Sequence, residues 1–428
     1  MAGKIHRNVR EPWLAPGGDE YRAIESFLAA GFDVSWAKEF RSHGTDVHCY
    51  FLEPDDELKA SYGFEYQMLV VVHPYDHLEP RTFQAISHFM SSDPAKGRVE
   101  PLVYFLVSKA NDVQDWTTSY LLENRDERIA IPIAFAELLA GTPSARKIRD
   151  AIHRHYLVLN IFKNTLPLED DTYFFGRNEE LTKLIDSAKR LENIGLFGLR
   201  KTGKTSLLFK LRRFFDRDGS YVTVILNAEL ASVRKRRWHE LLHYIATNIA
   251  SQVSCPAPMA FTEIDAAEQF TQLLKAALTD RKKRLLLIVD EIDWIVPELT
   301  SDSHWTEDFL TFWQTIRGVQ SEYRKLAIVV AGVSPYAVER DLLSDKPNPL
   351  FGIVTPVFLR GFSKPETWEM INKIGKLVGL RPANDALEYL YIQYGGHPLL
   401  TRLACSYTFE DARARGISFP VQVNEGGC

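Results

Sequence analysis

Apolar and polar positions follow two periods along this chain, and the switches between them mark out its elements. In Asp19–Ala30, Tyr21, Ile24, Phe27 and Leu28 fall on one helical face. Three β-like runs follow, Phe32–Phe40, Asp46–Leu52 and Phe64–His73, and then a helical stretch, Arg81–Met90. Pro101–Val107 is almost wholly apolar, as a strand buried on both faces requires. Another helix, a strand over Arg128–Ile133 and a helix over Ala145–Leu159 complete this region. Asn164–Asp171, with a proline and an acidic run, reads as a linker.

Beyond the linker, Asn178 is placed to cap a helix whose first turn holds Glu179 and Glu180, carboxylates that suit the positive helix end. Leu181, Leu184, Ile185, Ala188 and Leu191 recur on its apolar face. Five β-like runs alternate with helical stretches: Ile194–Phe197, Tyr221–Leu226, Arg284–Val289, Leu326–Ala331 and Ile353–Leu359. Such alternation predicts a mostly parallel sheet covered on both faces. The remainder is mostly helical.

At roughly 150 residues per domain, a chain of 428 residues predicts about two to four domains. The expected division is 1–165, 166–362 and 363–428. Charged residues at 25% and hydrophobic residues at 45% are ordinary for a water-soluble fold. A net charge of −5 excludes a molecule that is basic overall, and leaves only a local basic face for nucleic acid. The two basic runs, Arg234–Arg237 and Arg281–Arg284, read as solvated rims. Cys49, Cys255, Cys405 and Cys428 are scattered and form no metal-binding pair, which fits a reducing, cytoplasmic setting. The first residues hold no apolar core of a secretory signal. The stretch Ile129–Ala140 falls short of the ~20 residues a membrane span needs.

Gly198-Leu199-Arg200-Lys201-Thr202-Gly203-Lys204-Thr205 follows a predicted strand and opens a predicted helix that starts near Ser206. The glycines let backbone N–H groups turn inward onto phosphate oxygens, Lys204 reaches the β- and γ-phosphates, and the Thr205 hydroxyl ligates Mg²⁺. The helix presents its positive end to the same phosphates. Arg284–Val289 is an apolar strand that runs into Asp290-Glu291. Carboxylates there project into the crevice at the carboxyl ends of the strands. Asp290 is expected to hold Mg²⁺ through water, and Glu291 to orient and deprotonate the attacking water. Asp293 reads as a cap of the following turn.

These motifs make the chain resemble P-loop ATPases. The strand Tyr221–Leu226 between them, with glutamate directly after aspartate, resembles the additional-strand catalytic-glutamate class. That resemblance implies the sheet order 5-1-4-3-2, numbering the five runs. Phe175-Gly176-Arg177, followed by Asn178-Glu179-Glu180-Leu181, resembles the FxGRxxEL motif of AAA-related and STAND ATPases, which packs near the adenine. Asn348–Gly352 and Phe358–Phe362 resemble archaeal-type ATPases, with Ile353 where that pattern has arginine and Arg360-Gly361 in place of a Leu-Pro context. Gly395–Leu400 resembles the GGxP element of STAND lids, which implies that His397 and Pro398 approach the phosphates. Ser334 stands where a polar sensor is expected, and Arg340 and Arg324 are the candidate fingers for a neighbouring subunit. The resemblance implies an ATPase core, a C-terminal helical lid, and ATP and Mg²⁺ as ligands. It also implies a nucleotide-dependent homo-oligomer, a nucleic-acid or protein trigger, and a defence-type setting in bacteria or archaea. The alternatives are a DNA-loading or remodelling ATPase, which the lack of room for a winged helix speaks against, and a scaffold with little turnover.

In the first region, helix, three strands, helix, strand resembles the core order of restriction-endonuclease-like nucleases. Asp46 on the second run and Glu65 on the third would then share Mg²⁺, with Gln67 in place of the usual lysine. An inactive adaptor of that fold and a TIR-like or other Rossmann-like effector stay open beside it. In His73-Pro74-Tyr75-Asp76-His77 the two histidines read as solvated loop residues.

Overall fold

In a computed structural model, residues 3–9, 11–124, 127–156, 160–169, 171–279 and 283–427 are described. The end of the expected helix at 157–159, linker residue 170, residues 281 and 282 of the second basic run, and Cys428 lie outside them. The chain divides into two units: residues 1–166, 363–396 and 400–428 form one, and residues 167–362 with 397–399 form the other.

The first unit begins with α1 (Asp19–Ala30), ended by Gly31 in the left-handed region at φ 106°. The strands β1 (Phe32–Ser42), β2 (Thr45–Pro54), β3 (Gln67–His73), β4 (Val99–Ser108) and β5 (Ile129–Ala134) lie side by side in chain order. The pairs β1–β2 and β2–β3 are antiparallel, and β3–β4 and β4–β5 are parallel. Period-two alternation sends Val47, Cys49 and Phe51 of β2 into a core with α3 (Pro80–Met90) and α4 (Val113–Glu123). On the other face Phe27 of α1 meets Phe32 and Phe105 edge to face. A helix absent from the sequence reading, α2 (Asp56–Tyr62), separates β2 from β3. The Asp55 carboxylate caps it, accepting from Leu58 N at 2.9 Å. The apolar stretch Ile129–Ala140 splits into β5 and the short α5 (Phe135–Leu139), and α6 (Ala145–His155) follows.

The second unit opens with α7 (Asn178–Arg190). Asn178 is its first helical residue and not its cap; that position falls to Arg177, left-handed at φ 64°. Next come β6 (Asn193–Phe197), α8 (Lys204–Asp218), β7 (Tyr221–Asn227), α9 (Ala231–Arg234), α10 (Trp238–Gln252), α11 (Ala266–Leu274) and β8 (Arg284–Asp290). They are followed by α12 (Trp305–Tyr323), β9 (Leu326–Gly332), α13 (Tyr336–Glu339), the hairpin of β10 (Leu342–Leu343) and β11 (Lys346–Pro347), and β12 (Val354–Phe358). Across the sheet the order is β12-β6-β9-β8-β7, and every neighbouring pair is parallel. The apolar run in β8 has a simple cause. Leu285, Leu287 and Val289 pack with α10 and α12, while Leu286 and Ile288 pack with α7 and α8. Neither face reaches water, and full burial of each such side chain stabilises the fold by about 1.5–3 kcal/mol. The register brings Phe197, Gly332 and Phe358 level at one sheet end, with Asn227 level with Asp290.

The C-terminal helices belong to the first unit, apart from residues 397–399. The helix α14 (Lys364–Val378) starts on a reciprocal capping box of Ser363 and Glu366. β13 (Leu380–Pro382) pairs in parallel with β14 (Val421–Val423), and α15 (Asn384–Tyr394) and α16 (Pro398–Ala414) lie between them in the chain. Arg381 donates to the carbonyls of Ala60 and Ser61 at 3.1 Å, Lys376 lies 3.4 Å from Glu65, and Arg402 donates to Ile161 O at 2.7 Å. Among the described residues, no helix is long and apolar enough to cross a membrane.

Candidate nucleotide and metal site

Between β6 and α8, residues 198–203 form a tight loop whose shape depends on its glycines. A Cβ on Gly198 would stand 2.5 Å from the Leu359 carbonyl oxygen, and Gly203 has φ 94°. Lys201 is also left-handed, at φ 61°. The loop is held from inside and from outside. Thr202 Oγ1 donates to Leu199 O at 2.8 Å, and the Lys204 ammonium donates to Gly198 O at 3.0 Å and to Leu199 O at 3.1 Å. Arg177, only 3% exposed, donates to Thr202 O at 3.1 Å and lies over the Phe362 ring at 4.6 Å. So Arg177, next to left-handed Gly176, grips the phosphate loop itself. His397 Nε2 donates to Arg200 O at 3.2 Å, and Pro398 opens α16 directly after it. The Ser206 hydroxyl accepts from Leu168 N at 2.9 Å, so it anchors the segment that precedes the core sheet.

The carboxylate half of the site stands at the end of β8. The Thr205 hydroxyl donates to Asp290 Oδ2 at 2.7 Å, joining the two halves, and Glu291 N donates to Asp290 Oδ1 at 2.9 Å. Glu291 is left-handed at φ 53° and begins a short 3-10 turn, Ile292–Ile295. Burial drives the electrostatics. It raises the Asp290 carboxyl above its ordinary value, against the Thr205 bond. It raises Glu291 as well, and the neighbouring Asp290 charge adds to the effect. It lowers Lys204, against the pull of Glu291, Asp290 and Asp293. A hydroxyl and a carboxylate in contact, both hard oxygen donors beside further acidic groups, fit Mg²⁺.

Two acidic residues had little signal in the sequence. Glu229 follows the end of β7, and its charge raises both Asp290 and Glu291. Asp293 accepts from Val333 N at 2.6 Å and from Ser334 N at 3.4 Å, so it binds the turn after β9 in addition to lying in its own. The Ser334 hydroxyl accepts from Tyr336 N at 3.2 Å and retains a proton to donate. Arg340 lies over the Tyr336 ring at 5.1 Å. Arg324 lines a 780 Å³ cavity with Arg190, Asn193 and Gln320, at the opposite end of the sheet from the phosphate loop.

The proposed carboxylate pair in the first unit does not form. Asp46 is on β2, 3.3 Å from Arg41 Nε and 3.3 Å from the Tyr75 hydroxyl. Glu65 precedes β3, and its exposed side chain faces Lys376. The β2–β3 register, from His48↔Val72 to Leu52↔Met68, puts the two acids at opposite ends of the pair. They are separated by roughly nine residues of strand, on the order of 30 Å. One ion cannot bind both. Gln67 is also engaged, accepting from Arg98 Nε at 2.9 Å. His73 is not a solvated loop residue: it is 2% exposed, bonded to Ser108 Oγ at 3.1 Å, and burial lowers its pKa to about 4. His77 is exposed. In the first basic run, Arg234 pairs with Asp302, Arg237 pairs with Asp308 at 2.7 Å, and Arg236 lies over the Tyr244 ring at 4.9 Å.

Residues 174–402 match the family described as an ATPase domain predominantly from Archaea. No curated protein matches the chain. Among solved structures, a Walker-type ATPase of Pyrococcus abyssi is 17% identical, with TM-score 0.43, over 60% of this chain and 72% of that one. The ORC2 protein of Aeropyrum pernix, solved with ADPNP and ADP, is 17% identical, with TM-score 0.41, over 60% of this chain and 68% of that one. The RuvB Holliday junction branch migration motor of Thermotoga maritima is 14% identical, with TM-score 0.37, over 62% of this chain and 71% of that one.

Proposed function

The chain belongs to the family of ATPase domains found predominantly in Archaea, and from that premise we propose that its ATP cycle runs at residues 198–205, Asp290 and Glu291 and operates a molecular switch. The observation that carries the site assignment is the 2.7 Å bond from Thr205 to Asp290, which joins the phosphate loop to the acidic strand end. Thr205 and Asp290 would hold Mg²⁺, which supplies positive charge to neutralise the phosphate oxygens. Lys204, now bonded to Gly198 O and Leu199 O, would turn its ammonium to the β- and γ-phosphates. Glu291, with its raised carboxyl, is suited to take the proton of the attacking water.

His397 supports a STAND-like switch. It bonds the Arg200 carbonyl within the phosphate loop, and residues 397–399 are the part of the C-terminal segment that groups with the core. The helices before and after them group with residues 1–166. A change in the phosphate loop would therefore pull on chain continuous with α15 and α16, and the N-terminal region would act as effector or adaptor. A defence-type role in bacteria or archaea is the broader setting of this reading.

The test separates binding from turnover. Lys204→Ala should lose tight ATP binding, whereas Glu291→Gln should bind ATP at wild-type affinity and lose hydrolysis by about 10²-fold or more. Wild-type turnover in Glu291→Gln would remove Glu291 as the base.

A further inference from the structure

We propose that Asp293 is a positioning residue of the ATPase site, a carboxylate brace that holds the turn carrying Ser334 and the mouth of the phosphate loop in register with Asp290 and Glu291. The proposal rests on the assignment of Glu291 as base and extends it to a residue that acts through the backbone it holds.

Asp293 lies within the 3-10 turn Ile292–Ile295, just past Glu291. Its carboxylate leaves that turn and crosses to the next strand, accepting from Val333 N at 2.6 Å and from Ser334 N at 3.4 Å. Bonds from backbone N–H groups to an ionised carboxylate are about twice as strong as neutral ones. The contact leaves no slack. A Cβ on Gly332 would stand 2.6 Å from Asp293 Oδ2 and 3.1 Å from Ile292 Cγ2. The backbone there is not left-handed, so what a side chain at this position would displace is the Asp293 carboxylate. On its other side, Gly332 O accepts from Gly198 N at 3.3 Å, at the first residue of the phosphate loop. Asp293, Gly332 and Gly198 thus form one continuous contact between the acidic strand end, the turn of Ser334 and the loop. The Lys204 ammonium also feels the Asp293 charge.

A turn cap that served stability alone would need none of this cross-strand geometry. It would also lower melting temperature without separating binding from chemistry. A brace predicts that separation, because displacing reacting groups by about 1 Å costs on the order of 10²-fold in rate while leaving most ground-state contacts intact.

The experiment measures kcat, KM, nucleotide affinity and melting temperature in wild type, Asp293→Ala, Asp293→Asn and Gly332→Ala, with Glu291→Gln as control. Asp293→Ala should lower kcat by roughly 10- to 100-fold with nucleotide affinity within about threefold of wild type. Asp293→Asn keeps an acceptor oxygen and should recover most of that loss. Gly332→Ala, which pushes the carboxylate away, should behave like Asp293→Ala. If Asp293→Ala does not fold, Asp293→Asn and Gly332→Ala decide between the two roles. Wild-type kcat in Asp293→Ala or in Gly332→Ala, parallel loss of affinity and kcat, or no recovery in Asp293→Asn would each overturn the brace. Turnover in Glu291→Gln would instead overturn the base assignment, whatever the Asp293 variants do.

Discussion

Lys204 and Glu291 illustrate how burial sets the chemistry of single residues in this site. Neither charge is well solvated, and each is shifted toward its neutral form. For Glu291 the sign has a kinetic consequence. A carboxyl raised above the ordinary 4.5 ionises only at higher pH, and only the ionised form accepts a proton. The acid limb of the kcat/KM profile, which reports the free enzyme, should therefore lie above 4.5 and rise with pH. A limb at or below that value would show that the base is solvated, unlike the half-buried Glu291 of this structure. The residue pattern at this scale singled out the candidate site: the spacing of Gly198, Gly203, Lys204 and Thr205 and the acids after an apolar strand fall on two segments that the fold joins through the Thr205–Asp290 bond. The roles of Asp293, Gly332 and Glu229 were not legible, because each depends on an approach between segments far apart in sequence.

Asp308 shows what holds an element in place behind the site. Its side chain is 2% exposed on α12, yet it accepts from Arg237 Nε at 2.7 Å, Arg237 Nη2 at 3.0 Å, His304 Nδ1 at 3.0 Å and Trp238 N at 3.1 Å. It thereby satisfies an unpaired N–H at the start of α10 and ties that helix to α12. Burial by itself would raise its carboxyl, but the bonds from Arg237, His304 and Trp238 hold it below the ordinary value. Because the folded value lies below the unfolded one, its stabilisation is present above about 3.8 and is lost as pH falls through the folded value. Asp308→Ala, which leaves Trp238 N and His304 without their acceptor while the half-exposed Arg237 keeps Glu263 at 3.5 Å, should cost about 1–3 kcal/mol in denaturant melts at neutral pH. The gap between wild type and Asp308→Asn should narrow as pH falls below about 4. A loss under about 1 kcal/mol would mean that the pair is solvated. The sequence showed Arg234–Arg237 only as a basic run, and pairing with Asp302 and Asp308 turned two of its arginines into structural cations.

At the scale of the whole molecule, ligand linkage and nucleotide response are the measurable properties. Asp290, Glu291 and Asp293 act on the one Lys204 ammonium, and Glu229 adds its charge to Asp290 and Glu291, so a divalent cation and nucleotide together should stabilise the protein more than either alone. Saturation at 100 times Kd corresponds to about 2.7 kcal/mol, a clear rise in melting temperature. No rise with ATP and Mg²⁺ together would contradict the site assignment. His397→Ala should change nucleotide-dependent scattering or native mass more than it changes ATP affinity, because a ligand shifts a two-state element only through differential contacts. Identical scattering and mass in every nucleotide state, for both proteins, would remove His397 from the switch.

Local pattern carried as far as physics lets it. Apolar alternation and apolar runs located the strands to within a few residues, because the pleat and two-sided burial act on neighbouring positions. The candidate phosphate loop stood out in the sequence because backbone curvature, one ammonium and one hydroxyl must occur at fixed spacing. Register and long-range approach were decided only in the folded chain. Asp46 and Glu65 looked like a pair until the β2–β3 register put them at opposite ends. His73 looked solvated until the fold buried it against Ser108, and α2 formed between the second and third runs, where no helix was expected. Asp293 looked like a local cap until the fold brought Val333 N, just past the next strand, within 2.6 Å of its carboxylate. Each of these depends on which distant segment arrives opposite a residue, and periodicity within one segment carries no information about that.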